Sequence, residues 1–311
     1  MSILILIAGI LLLLILIGTF KLNAFIALII ASLFVGICKG MFFTDIINSL
    51  QTGVGSTLGS LVLIIAFGVI LGNILSDSGA AQRISSVMIR FFGVKYIKWA
   101  MLLTGFAVGI SMFYNAGFII LIPMVFAVAQ STKQPIIYLG IATASALSIT
   151  HGFLPPHPGP TAIAVIFNAD IGKTLLYGFV VAIPALLVAG IVFPEFIKKI
   201  KANPPQGLFE SKTFSDAEMP SFGISFLTAL IPVILMALAT ITELTLDEES
   251  MLRHLLGFVG NPTTSMIIAV LFALVFLGAK RGRKMDDLMN KSSSALSSAT
   301  MIILIIGSGG A

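Results

Sequence analysis

Two of the three histidines in this 311-residue chain, His151 and His157, share the stretch HGFLPPHPGP (151–160) with four prolines and two glycines. A histidine near its reference pKa of about 6.5 can carry a proton through the physiological range. Pro155, Pro156, Pro158 and Pro160 lack an amide proton and cannot continue a helix. The residues before them are pushed toward extended geometry. A helix carrying ASALSIT (144–150) is therefore expected to end here, with a half-helix starting near Thr161. A half-helix start presents free N–H groups and a positive dipole end, which suits a carboxylate. Gly152 and Gly159 let backbone approach a ligand closely.

A second interruption, SMFYNAG (111–117), offers a hydroxyl, a phenol and an amide. The predicted substrate-binding set is Ser111, Tyr114, Asn115, Ser148, Thr150, His151, His157, Gly159 and Thr161. With no Lys or Arg among them, these groups suit a small hydroxylated monoacid better than a dianion. Ser148 and Thr150 have a second reading as hydroxyls bonded back to their own helix. His151 and Asp77, in LSDSGAA, are the candidate ion-coupling groups. No metal is expected: the two histidines are six residues apart across prolines, with no Cys or carboxylate beside them. The apolar runs contain no Ser/His/Asp, Asp/Asp or His–Glu zinc set, so neither catalytic residues nor a cofactor is expected. They also lack the charges that cation channels and antiporters need.

The elements that position these groups are membrane spans. Hydrophobic residues make up 58% of the chain and charged ones 10%, and the mean hydropathy is +1.09. A soluble core cannot hide so much apolar side chain in this length. Apolar runs lie at about 3–20, 24–41, 57–75, 174–194, 223–242 and 262–279, with a seventh beginning near 294. The first run lacks a basic flank and a cleavage site, so it reads as a span and not a signal peptide. Cys38 reads as an inert thiol, outside any disulfide framework.

The net charge of +5 comes from Lys and Arg in short loops, so it orients spans and does not argue for nucleic acid. Segments 76–98 and 280–291 are basic and expected inside; 243–253 is acidic and expected outside; Lys198, Lys199 and Lys201 place 195–222 inside. His254, in the acidic segment, reads as solvated, and Asp170 and Glu195 as interfacial. Counting crossings then makes 97–130 a re-entrant hairpin and 136–167 one interrupted helix.

An offset of 238 pairs Asn23 with Asn261, Ala31 with Ala269, Phe34 with Phe272, Gly40 with Gly278, Ser56 with Ser294 and Ile64 with Ile302. The paired spans run in opposite directions, the pattern of an inverted repeat. The expected organisation is an all-α polytopic membrane protein: first repeat 1–194, cytoplasmic linker 195–222, and 223–311 as a second repeat whose own hairpin and broken helix are missing.

The stretch HGFLPPHPGPTAIA, with GSTLGS and FGVILGNILSDSGAAQRI, closely resembles the gluconate permease family of bacterial sugar-acid:proton symporters. The resemblance runs from Leu22 to Phe193 and resumes at SSATMIILIIGSGGA. It implies a multi-pass plasma (inner) membrane symporter for gluconate or a similar acid, with H+ as the coupling ion, working as a homodimer with a mobile transport domain. One departure stands out. Relatives carry two aromatics followed by an acidic residue where this chain has Phe113, Tyr114 and Asn115. Coupling would then rest on His151, His157, Asp77 or a Na+ ion.

Overall fold

Backbone in lipid must satisfy its hydrogen bonds internally, so an apolar chain of this kind resolves into helices. The computed structural model describes residues 2–200, 202 and 214–311, and no strand occurs among them. Lys201 and residues 203–213 of the predicted linker lie outside the described residues.

The helices are α1 (Ser2–Gly18), α2 (Ala24–Cys38), α3 (Phe43–Asp77), α4 (Ala80–Phe92), α5 (Ile97–Gly109), α6 (Tyr114–Thr132), α7 (Ile136–Phe153) and α8 (Pro158–Ile166). They continue with α9 (Ile171–Leu186), a π turn at Leu187–Val192, α10 (Phe193–Ile197), α11 (Phe222–Thr245), α12 (Met251–Val259), α13 (Pro262–Ala273) and α14 (Met285–Gly309). Among the described residues seven helices are long and apolar enough to cross a bilayer, counting 136–166, 171–197 and 262–281 as one each.

Three expectations shift. The run 57–75 is the middle of the 35-residue α3, and the run near 294 belongs to α14, which starts at Met285. The basic segment 76–98 is not a loop. Most of it forms α4, whose Ala80, Ala81 and Ile84 are buried while Arg90 sits in its last turn. Charge marked the segment as polar, but its apolar residues recur at helical spacing, and that amphipathicity decides. The chain then turns through 107° into α5.

Both interrupted regions are present. In the first, 110–113 separates α5 from α6; in the second, 154–157 separates α7 from α8. α7 runs on through Phe153, because only the residue before Pro155 is forced extended: Leu154 has φ −107° and ψ 118°. α8 starts at Pro158 rather than Thr161, since a proline in the first helical position gives up no hydrogen bond.

The chain divides into two compact units, one of 1–63 with 297–311 and one of 64–296. In the first, α1 and α2 pack closely, and a Cβ on Gly9 would lie 2.5 Å from Val35 Cγ2. The second unit holds both interruptions, with a core that includes Leu71, Leu75, Ile84, Met112, Leu121 and Leu147.

Candidate functional site: two helix breaks that meet

Glycines bring the breaks together. A Cβ on Gly105 of α5 would lie 2.7 Å from the Thr143 carbonyl of α7, one on Gly109 would collide with Thr150 Oγ1, and one on Gly117 of α6 would lie 2.8 Å from Leu147 Cδ2. Small residues four apart let membrane helices approach until their backbones touch. Here GFAVG (105–109) seats α5 directly on α7. On the other side, a Cβ on Gly178 of α9 would lie 2.8 Å from the Phe153 carbonyl at the second break.

That approach puts three rings in one cluster. The His151 and His157 centroids are 4.9 Å apart, and Phe113 lies 5.8 Å from His151 and 6.3 Å from His157. His157 is buried and its Nε2–H donates to the Gly109 carbonyl at 2.7 Å. That carbonyl belongs to the last turn of α5, where intrahelical donors run out. His157 therefore caps one break from within the other, and the bond places a proton on Nε2. His151 Nδ1 and Thr161 Oγ1 are buried and lack a hydrogen-bond partner among the described residues. Thr161 is fully buried.

The other predicted residues divide. Ser111 is buried, and its hydroxyl donates to the Ala229 carbonyl of α11. Ala229 follows Thr228, whose carbonyl loses its usual donor at Pro232, so the hairpin tip is tied to the turn that proline disturbs. Thr150 bonds back to Ala146 and Leu147, the self-bonded alternative. Tyr114 stacks on Phe118 at 5.8 Å. Asn115, Ser148 and Gly159 are exposed.

The helix-end donors are distributed otherwise than the sequence suggested. α8 opens Pro158–Gly159–Pro160, and the Thr161 amide already donates to the His157 carbonyl at 3.1 Å. Gly159 alone supplies a free first-turn amide there. α6 is the richer end: the Gly117 amide donates to Phe113, while the amides of Tyr114, Asn115 and Ala116 lack intrahelical acceptors. An anion at this crossing would find most of its donors on the hairpin and not on the proline-rich break.

A cavity of about 20 Å³ lies inside the crossing, between Ser111, Phe113, Pro156, His157, Pro232 and Met266. That is room for one water. A ligand larger than water does not fit this gap as it stands.

Asp77 stands elsewhere. It is hydrogen-bonded to Arg283, and Lys291 Nζ lies 3.0 Å from it and 3.3 Å from Asp287. It opens onto a separate cavity of about 490 Å³, lined also by Asn73, Ser76, Gln82 and Pro123. Among the described residues no three His, Cys, Asp or Glu side chains gather as a metal site would require.

Gly105 and Gly109 are small residues four apart, a packing signal present in the sequence, whereas Gly117 stands on the next helix and carries no such spacing. Phe113 lies in the break by sequence, and its position beside both histidines emerges only from the crossing.

A helical membrane protein whose interrupted helices meet around polar groups has the architecture of a secondary transporter. A sequence model of the GntP family permeases matches residues 1–311, and the chain belongs to that family. It is 50% identical over 303 residues to the high-affinity gluconate transporter of Escherichia coli K12, covering 97% of this chain and 69% of that protein. It is 46% identical over 311 residues to the Gnt-II system L-idonate transporter of the same strain, covering 100% and 71%. It is 44% identical over 321 residues to the gluconate permease of Bacillus subtilis 168, covering 100% and 72%. The chain is thus a multi-pass bacterial membrane permease and not an enzyme.

Proposed function

We propose that this permease imports gluconate or a closely related sugar acid together with a proton, and that the crossing of the two breaks is where both are handled. The observation that carries the reading is the pair of buried, unpartnered polar atoms, His151 Nδ1 and Thr161 Oγ1, at a junction that holds no Lys or Arg. Relatives named for gluconate and L-idonate support a hydroxylated monocarboxylate. The amides of Tyr114, Asn115 and Ala116 suit one carboxylate by partial charge, while Ser148, Thr161 and the Asn115 amide suit hydroxyls. His151 is the proton carrier in this reading: its Nδ1 is uncommitted, whereas His157 is occupied with Gly109. Sodium coupling is the alternative, because the family resemblance implies an acid where this chain has Asn115.

The same reading takes 1–194 and 223–311 as inverted repeats joined by the 195–222 linker. In support, Asn23 and Asn261 open α2 and α13 with matching caps, each side-chain oxygen accepting from the amide two residues on at 2.9 and 3.0 Å. A homodimer with a mobile transport domain rests on the family resemblance alone.

Uptake of labelled gluconate into proteoliposomes under an inward proton gradient tests the reading. Unlabelled gluconate should compete. Glucose, uncharged, should not, and succinate should compete weakly because one of its charges would find no partner. Inhibition by glucose equal to that by gluconate would rule out a helix-end anion site.

A further inference from the structure

We infer that the cavity between the end of α6, the start of α7 and the residues after α10 binds the headgroup of an anionic phospholipid. It measures about 900 Å³, and its lining includes Phe126, Gln130, Lys133, Gln134, Lys198 and Lys199. All three lysines are exposed.

The charge at this cavity is unbalanced. Glu195 is the nearby carboxylate, and it is already saturated: Lys98 lies at 2.6 Å, Lys198 at 2.8 Å, and the Tyr138 hydroxyl donates to it at 2.8 Å. Lys133 and Lys199 make no ion pair among the described residues, which leaves at least two ammonium groups facing the cavity. The Gln130 and Gln134 amides add neutral donors suited to phosphate and glycerol oxygens.

Position separates a lipid from a soluble anion. The lysines lie on the side that the excess of basic residues assigns to the cytoplasm. Leading away from them, Val188, Val192, Phe196 and Ile200 recur every fourth residue and are all exposed, Phe196 at 78%. A basic cavity at the end of an exposed apolar stripe matches a headgroup with its acyl chain, and basic sites between helices on this side hold anionic headgroups. A free phosphate would use the lysines and leave the stripe without a role.

The test is native mass spectrometry of the whole protein released from vesicles of phosphatidylethanolamine and phosphatidylglycerol. Retained phosphatidylglycerol should exceed its bulk share by about fivefold, a preference of about 1 kcal/mol in total. The double variant Lys133→Gln/Lys199→Gln should return retention to the bulk ratio. Lys95→Gln should leave the enrichment intact, since Lys95 lies over the Tyr96 ring and does not line the cavity. Full enrichment in the double variant, an equal loss in Lys95→Gln, or no enrichment at all would overturn the site. Displacement of the lipid by millimolar glycerol phosphate would reassign it to a soluble anion.

Discussion

Two clusters of ionisable side chains among the described residues, one at Asp77 and one at His151, are built on opposite principles. Asp77 sits among Arg283, Lys291 and Asp287, so two cations face two carboxylates. His151 and His157 have each other, an aromatic ring and a backbone carbonyl, with one ring nitrogen left unpartnered. The first arrangement holds its charges in place. The second has no counter-charge and leaves a buried ring nitrogen, His151 Nδ1, uncommitted. A coupling group must gain and lose a proton during each cycle, and on the proposed reading the histidine cluster is the one that does so. Asp77, a coupling candidate on sequence grounds, is proposed here to act as a structural anchor through its ion pairs.

The comparison can be broken by substitutions, and the largest effect is expected at His157. Alanine there removes the bond to Gly109 that joins the breaks, and uptake should fall about a hundredfold, the scale of a misplaced binding group. His157→Gln keeps a donor and should recover part of that loss. Near wild-type uptake by the alanine variant would show that the breaks hold together without it.

Next comes His151→Ala, with about a tenfold loss of uptake, normal membrane insertion and a flattened pH profile. Wild-type uptake should rise as the outside pH falls and imidazole gains its proton. The variant should lose that rise. An unchanged profile from pH 5 to 8 would remove His151 from coupling.

Thr161→Val should cut uptake about threefold without lowering thermal stability, because a buried hydroxyl with no partner gives nothing to the fold. A clear drop in melting temperature would show instead that the hydroxyl is bonded within the protein.

Smallest on uptake, and largest on stability, is Asp77→Asn. Transport should change less than about twofold, but the fold should lose roughly 1–3 kcal/mol, less than a fully buried pair because the Asp77 side chain is 22% exposed. Abolished uptake in a stably inserted Asp77→Asn would return Asp77 to the coupling role.

The sequence disclosed the helical breaks and the residues of the candidate site that they carry because prolines and hydropathy act locally. HGFLPPHPGP could not be a continuous helix, and SMFYNAG interrupted a run too long for one span. What stayed hidden depends on which faces meet. That Ser111 reaches Ala229 needs the position of α11, and that α8 yields one free amide needs the register of its prolines. α4 was mistaken for a loop because Arg83, Arg90, Lys95 and Lys98 outweighed its buried alanines in a count by charge. The glycine seam was legible, as GFAVG, but its meaning rests on α7 lying opposite.

The most direct test of the central claim is to follow proton movement and gluconate uptake together in proteoliposomes carrying a pH-sensitive dye. The account predicts that adding gluconate outside, with no sodium present, acidifies the lumen in step with uptake, and that His151→Gln abolishes the acidification. Uptake that proceeds without acidification and follows a sodium gradient instead would contradict it.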